Sequence, residues 1–220
     1  MNNKISKIGM LSALALSCTL TMGARDIVQR TAHYMPEGNA FVCVNGSSRY
    51  TRALYGSTAE WRLETSDRPV FATYKKNQTG NIRFRISNGE QMMWLDEAEY
   101  CKASYEAGRR NYLLQDRRWG KGELDISVLA FPDTEGAVWR FIVRGFDNRK
   151  LKVEAVLSQT AVPKPVRSGD IGSFLKPGTF EPATSETSVL GSVSRLSPGS
   201  IFYFSVDGEN QLSTAENAKM

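Results

Sequence analysis

Asp96, Glu97 and Glu99 follow Trp94 closely in a chain that has a single histidine, His33. Two carboxylates facing each other across a glycosidic bond could serve as the acid and the base or nucleophile of a sugar hydrolase. Acids beside a tryptophan are also common on sheet surfaces, and this spacing does not place two of them across a groove. A Ser-His-Asp triad would have to use His33, and no Gly-x-Ser-x-Gly elbow occurs. His33 therefore reads as structural or surface. Cys43 and Cys101 form no paired ligand motif for zinc. Gly120-Lys121-Gly122 lacks phosphate-loop spacing and reads as a hairpin turn. The residues name no catalytic group, no metal ligand and no cofactor.

Aromatics offer milder chemistry. Trp94, Tyr100, Tyr105, Tyr112 and Trp119 fall between Met92 and Gly120, and a flat ring can stack on the apolar CH face of a sugar. They are a candidate saccharide-binding platform. Aromatics at strand spacing also fill cores, and both uses stay open.

These residues sit among alternating segments. Ile82, Phe84 and Ile86 share one face of a strand with Arg83 and Arg85 on the other, and Ser87-Asn88-Gly89 ends it with a pair suited to positive φ. Trp61-Arg62-Leu63-Glu64 alternates in the same way and turns at Ser66-Asp67-Arg68-Pro69 into Val70–Tyr74. Further inward sets are Leu124, Ile126, Val128; Trp139, Phe141, Val143; and Leu151, Val153, Ala155, Leu157. Phe41–Val44 and Ile201–Val206 complete a count of about ten to twelve strands. Asp96–Ser104 accommodates either a helical turn or an extended segment. Ser158–Glu186, rich in Pro, Gly, Ser and Thr, reads as a long irregular connection. The pattern predicts an all-β, two-layer antiparallel β-sandwich with apolar sets inward and arginine and glutamate sets in water.

The chain has 220 residues, 41% of them apolar, enough for one sizeable core. Lys4 and Lys7, the apolar stretch Ile8–Met22 and the small-residue exit at Gly23-Ala24 read as an export signal over residues 1–24. The stretch is short for a membrane span. Removing the two lysines lowers the formal charge from +5 to about +3. Basic pairs such as Arg109-Arg110 and Arg117-Arg118 are scattered, so nucleic acid is not an expected partner. Ala15-Leu16-Ser17 fits a lipidation signal at Cys18 poorly. The expected location is periplasmic or extracellular, with soluble export favoured over a lipid anchor. Cys43 and Cys101 can form at most one disulfide or remain buried thiols.

Arg52–Gly56, Trp61–Thr65, Asp67–Ala72, Trp94–Ala98, Tyr112–Gly120 and Leu129–Gly136 together resemble the bacterial domain-of-unknown-function family numbered 4450. The resemblance runs from about Tyr34 to Val206. It implies a supersandwich of galactose-mutarotase type at the N-terminal end of large exported proteins that look like glycoside hydrolases. In such proteins a linker helix leads to a six-hairpin α/α toroid. The implied organisation is a signal at 1–24, a sandwich at 25–207 and the start of a linker at 208–220, with the toroid and any catalytic acid and base outside this chain, as in a truncated or split gene. The resemblance implies a noncatalytic support for a carbohydrate-active toroid. A freestanding carbohydrate-binding module on the five aromatics and a carboxylate-dependent glycosidase on the acidic cluster are the alternatives.

Overall fold

Short runs of β-branched and aromatic residues at period two, each closed by Gly, Asn, Asp or Pro, fold as strands. The computed structural model describes residues 34–47, 50–56, 60–75, 78–146, 151–160, 188–196, 199–209 and 211–216. The signal segment, His33 and nearly all of the connection expected at 158–186 lie outside the described residues.

The strands are β1 (Met35–Glu37), β2 (Ala40–Val44), β3 (Tyr50–Tyr55), β4 (Trp61–Ser66), β5 (Val70–Lys75), β6 (Gln78–Ser87), β7 (Met92–Trp94), β8 (Tyr100–Glu106), β9 (Arg109–Gln115), β10 (Glu123–Ala130), β11 (Gly136–Arg144), β12 (Leu151–Thr160), β13 (Ser188–Leu196), β14 (Ile201–Asp207) and β15 (Leu212–Glu216). Two 3₁₀ turns interrupt them, Leu95–Glu97 and Arg117–Trp119. An eight-stranded sheet runs β1-β2-β8-β9-β10-β11-β14-β15. A seven-stranded sheet runs β13-β12-β6-β5-β4-β3, with β7 paired to the end of β6. Neighbours are antiparallel, for instance Trp139 opposite Phe204 and Phe84 opposite Ala155. The expected two-layer antiparallel sandwich is the observed fold.

The described strands exceed the expected ten to twelve. Three-residue strands such as β1 and β7 are too short to display a period. Leu212–Glu216, expected as the beginning of a linker, pairs with β14 from Phe202 to Val206 and forms an edge of the larger sheet. Asp96–Ser104 resolves into a 3₁₀ turn followed by β8.

The inward sets meet as their alternation predicts. Phe71 and Phe84 of the smaller sheet pack against Trp139 of the larger one at 5.4 and 5.8 Å between ring centroids. Phe84 also meets Phe141 at 5.0 Å and Phe204 at 5.3 Å, and Phe141 stacks on Phe202 at 4.8 Å. Such geometry adds attraction between ring edges and faces to the burial itself. The turn after β6 places Gly89 at φ +93°, a conformation glycine adopts without a Cβ clash.

The outward face of the smaller sheet corrects the expectation of a solvated surface. Arg62 and Glu64 are buried and joined at 2.8 Å, with the Arg62 guanidinium 3.9 Å from the Tyr74 ring centroid. Arg83 binds both carboxylate oxygens of Asp96 and lies 4.2 Å from the centre of Trp94. Arg85 and Lys152 both bind the buried Glu154, Arg85 at 2.7 Å. Alternation distinguishes two faces but does not tell which polar face meets water.

Two substitutions separate the layers. Phe84→Ala is expected to lower stability by about 3–5 kcal/mol through cavity formation. Arg83→Ala is expected to cost about 1–3 kcal/mol by leaving Asp96 unpaired. Urea unfolding measures both, and an unchanged midpoint for Arg83→Ala would show that the Asp96 pair contributes nothing.

Candidate functional site

The five aromatics expected as a saccharide platform are distributed over several surfaces. Trp94 is opposite Arg85 on the outward face of the smaller sheet, covered on one side by Arg83. Tyr100 is opposite Gln115 on the outward face of the larger sheet and is partly exposed. Tyr105 packs against the core, with the Arg52 guanidinium 5.6 Å from its ring centroid. Tyr112 is buried between the sheets, donates its hydroxyl to the Ser66 carbonyl at 2.7 Å and meets Phe71 edge-on. Trp119 closes a 3₁₀ turn and packs on Phe146, ring centroids 5.5 Å apart.

Arginines capture most of the acidic candidates. Asp96 is held by Arg83, and Glu99 by Arg117 at 2.8 Å, while Glu97 is exposed. Nearby Asp116 binds Arg118 side-on, Nε to Oδ1 at 2.6 Å and NH2 to Oδ2 at 2.7 Å. It also caps the 3₁₀ turn by accepting the Arg118 backbone N–H and reaches the Glu99 N–H. The Arg118 side chain beside Asp116 holds its carboxyl down at about 2. Among the described residues no group of three or more His, Cys, Asp and Glu could hold a metal ion.

The same turn forms one wall of a cavity of about 420 Å³ at the end of the sandwich. Its floor is Ile86, Met93, Phe146 and Leu151, with Trp119 as a wall. Ser87, Asn88, Gln91 and Arg118 supply polar groups. Gly122 makes this packing possible, because a Cβ there would lie 2.8 Å from the Phe146 ring. The cavity brings together Trp119 and none of the other four platform aromatics.

Residues 77–181 match the sequence profile of the family described as Domain of unknown function (DUF4450). This stretch of the chain is similar to DUF4450. No curated protein matches the chain. The DUF4450 stretch begins just before β6 and runs through β12, so it contributes strands to both sheets. It also contains every residue lining the cavity.

A buried polar cluster joins the sheets, linking Arg110 of the DUF4450 stretch to Tyr34, Ser66 and Asp67, which precede that stretch. Arg110 is 0% exposed and donates to the Ser66 carbonyl at 2.8 Å and the Tyr34 hydroxyl at 2.7 Å, with Asp67 Oδ1 at 3.4 Å. Thr51 also donates to Asp67, at 2.5 Å. Sequence reading took Ser66–Pro69 only as a turn. The signal it missed was Arg68 beside Asp67, since aspartate is an ordinary turn former and arginine is not. Cys43 and Cys101 are buried free thiols. Burial pushes Cys101 up to about 12 and raises Cys43, so both remain protonated at neutral pH.

Two carboxylates give opposite pH dependences. Asp116 has a depressed native pKa, so its stabilising contribution is complete above about pH 4 and is lost as pH falls toward 2. Asp116→Asn is therefore expected to unfold more easily than the parent near neutrality, the gap closing through that window in pH-dependent urea titrations. Burial raises the Glu64 pKa against the opposing pull of Arg62. The native state then favours the protonated acid, a contribution lost as pH rises through the raised value. Glu64→Gln is expected to match or exceed parental stability near pH 7 and to lose that advantage in acid. A large loss near neutrality would instead make the charged Arg62–Glu64 pair a net stabiliser.

Proposed function

We propose that this chain is an exported, noncatalytic β-sandwich of a glycoside-hydrolase-like protein, supporting a carbohydrate-active α/α toroid. The observation that carries the noncatalytic reading is the fate of the carboxylates around the aromatic segment. Asp96, Glu99 and Asp116 are each bound by an arginine. A general acid in sugar hydrolysis needs a raised pKa and access to the leaving oxygen, whereas Asp116 is shifted the other way.

An edge hairpin favours the supporting role. Met35, Phe41 and Val44 of β1 and β2 are 62%, 52% and 52% exposed. Apolar surface concentrated on one hairpin is the kind a neighbouring domain covers. Polysaccharide contact in this reading falls to Trp94 and Tyr100, which are partly exposed on outward sheet faces.

The purified chain is expected to release no reducing sugar from a panel of plant and host glycans, as followed by a reducing-end assay over many hours. Turnover abolished by Asp96→Asn or Glu99→Gln in a folded protein would replace this reading with that of a carboxylate-dependent glycosidase.

A further inference from the structure

The cavity beneath Trp119 has a chemistry that the support role does not use. Its floor residues Ile86, Phe146 and Leu151 are 2%, 3% and 2% exposed, and Met93 adds a flexible, polarisable side chain. Trp119 packs on Phe146, their ring centroids 5.5 Å apart. About 420 Å³ is room for a ring-sized body with a short substituent, and an apolar floor beside a polar rim, here Ser87, Asn88, Gln91 and Arg118, suits an amphipathic small molecule.

Arg118 sets the polarity of the ligand. It is the one cation among the lining residues, which include no carboxylate. A guanidinium has two edges that can each take a planar anion. Asp116 occupies the Nε/NH2 edge of Arg118, while NH1 has no partner among the described residues. The Asp116 carboxylate is itself buried and capped by backbone N–H groups, so it holds the guanidinium in place. Of the other acids near Arg118, Glu99 is taken by Arg117 and Glu97 is exposed. Arg118 and Asp116 together are neutral, so the directed N–H groups of the remaining edge, rather than net charge, provide recognition.

We propose that this cavity binds a small amphipathic carboxylate, with its apolar or aromatic body against Trp119 and the floor and its carboxylate on the NH1/NH2 edge of Arg118. A sugar acid shares the carboxylate but offers hydroxyls to a floor of Ile86, Met93, Phe146 and Leu151, where they would go unpaired. The observations favour the apolar body.

Calorimetric titration of the full chain with trans-cinnamate, its neutral amide cinnamamide, and digalacturonate tests the assignment without any mutation. Cinnamate is expected to bind about tenfold more tightly than cinnamamide, the scale of one charge-assisted contact near 1.4 kcal/mol. Arg118→Gln should remove that preference while leaving cinnamamide binding in place, and Trp119→Phe should weaken both ligands. Equal binding of cinnamate and cinnamamide by the parent overturns the role of Arg118. Tighter binding of digalacturonate than of cinnamate overturns the apolar body in favour of a saccharide, and binding of none of the three overturns the site.

Discussion

A guanidinium enclosed between two sheets constrains the sandwich. Arg110 is fully buried on β9, and burying an unpaired cation would cost far more than the net stability of a domain this size. Its partners Ser66 and Asp67 come from the end of β4 and the following turn, in the opposite sheet. The β4–β5 turn therefore has to lie where it does. Arg68, the next residue, reaches the carbonyls of Gly46, Asp96 and Ala98 at 2.9, 3.0 and 2.8 Å. One turn thus ties β9, the loop after β2 and the segment after β7 together. A slip of one residue at this turn would break these bonds and exchange the faces of β4 and β5.

That anchoring lets the aromatic core form in one register. Phe71 follows the turn directly, and its ring meets Tyr112 on β9 at 5.7 Å and Trp139 on β11 at 5.4 Å. Tyr112 belongs to both systems, since its ring packs in the core and its hydroxyl binds the Ser66 carbonyl. The polar cluster supplies direction and the aromatic layer supplies most of the burial, roughly 1.5–3 kcal/mol for each fully buried large side chain. Neither would place the sheets alone: burial is non-directional, and a buried polar cluster is weak evidence of net stabilisation.

This division explains what the sequence made legible. Period two depends only on which side of a strand is apolar, so the inward positions of Phe84, Ile126, Phe141 and Val153 could be read from local pattern. The outward face of the smaller sheet could not. Arg62, Glu64 and Glu154 have the composition of a wet surface, and their burial depends on neighbours distant in sequence. The aromatic platform failed to assemble for a related reason. Tyr100 and Tyr105 lie on one strand at odd separation, which places them on opposite faces, while Tyr112 is drawn inward by its register with Ala103. Parity along β8 was available in the sequence, but the pairing of β8 with β9 that brings Tyr112 inward was not.

The cavity inherits its shape from the same hierarchy. Its floor is the continuation of the core beyond Phe84, through Ile86 and Leu151 to Phe146. Phe146 can close that floor because Gly122 leaves room for its ring, and Trp119 then has a surface to lean on. The wall is rigid for a second reason, since Asp116 both caps the turn carrying Trp119 and clamps Arg118. A backbone cap, an ion pair and an aromatic contact thus converge within Asp116–Trp119, inside the DUF4450 stretch. Folding alone requires a cap there; it does not require a guanidinium held by one edge beside a cavity with an apolar floor. That surplus of order distinguishes this end of the sandwich from the Arg110 end, where the polar contacts serve to join the sheets.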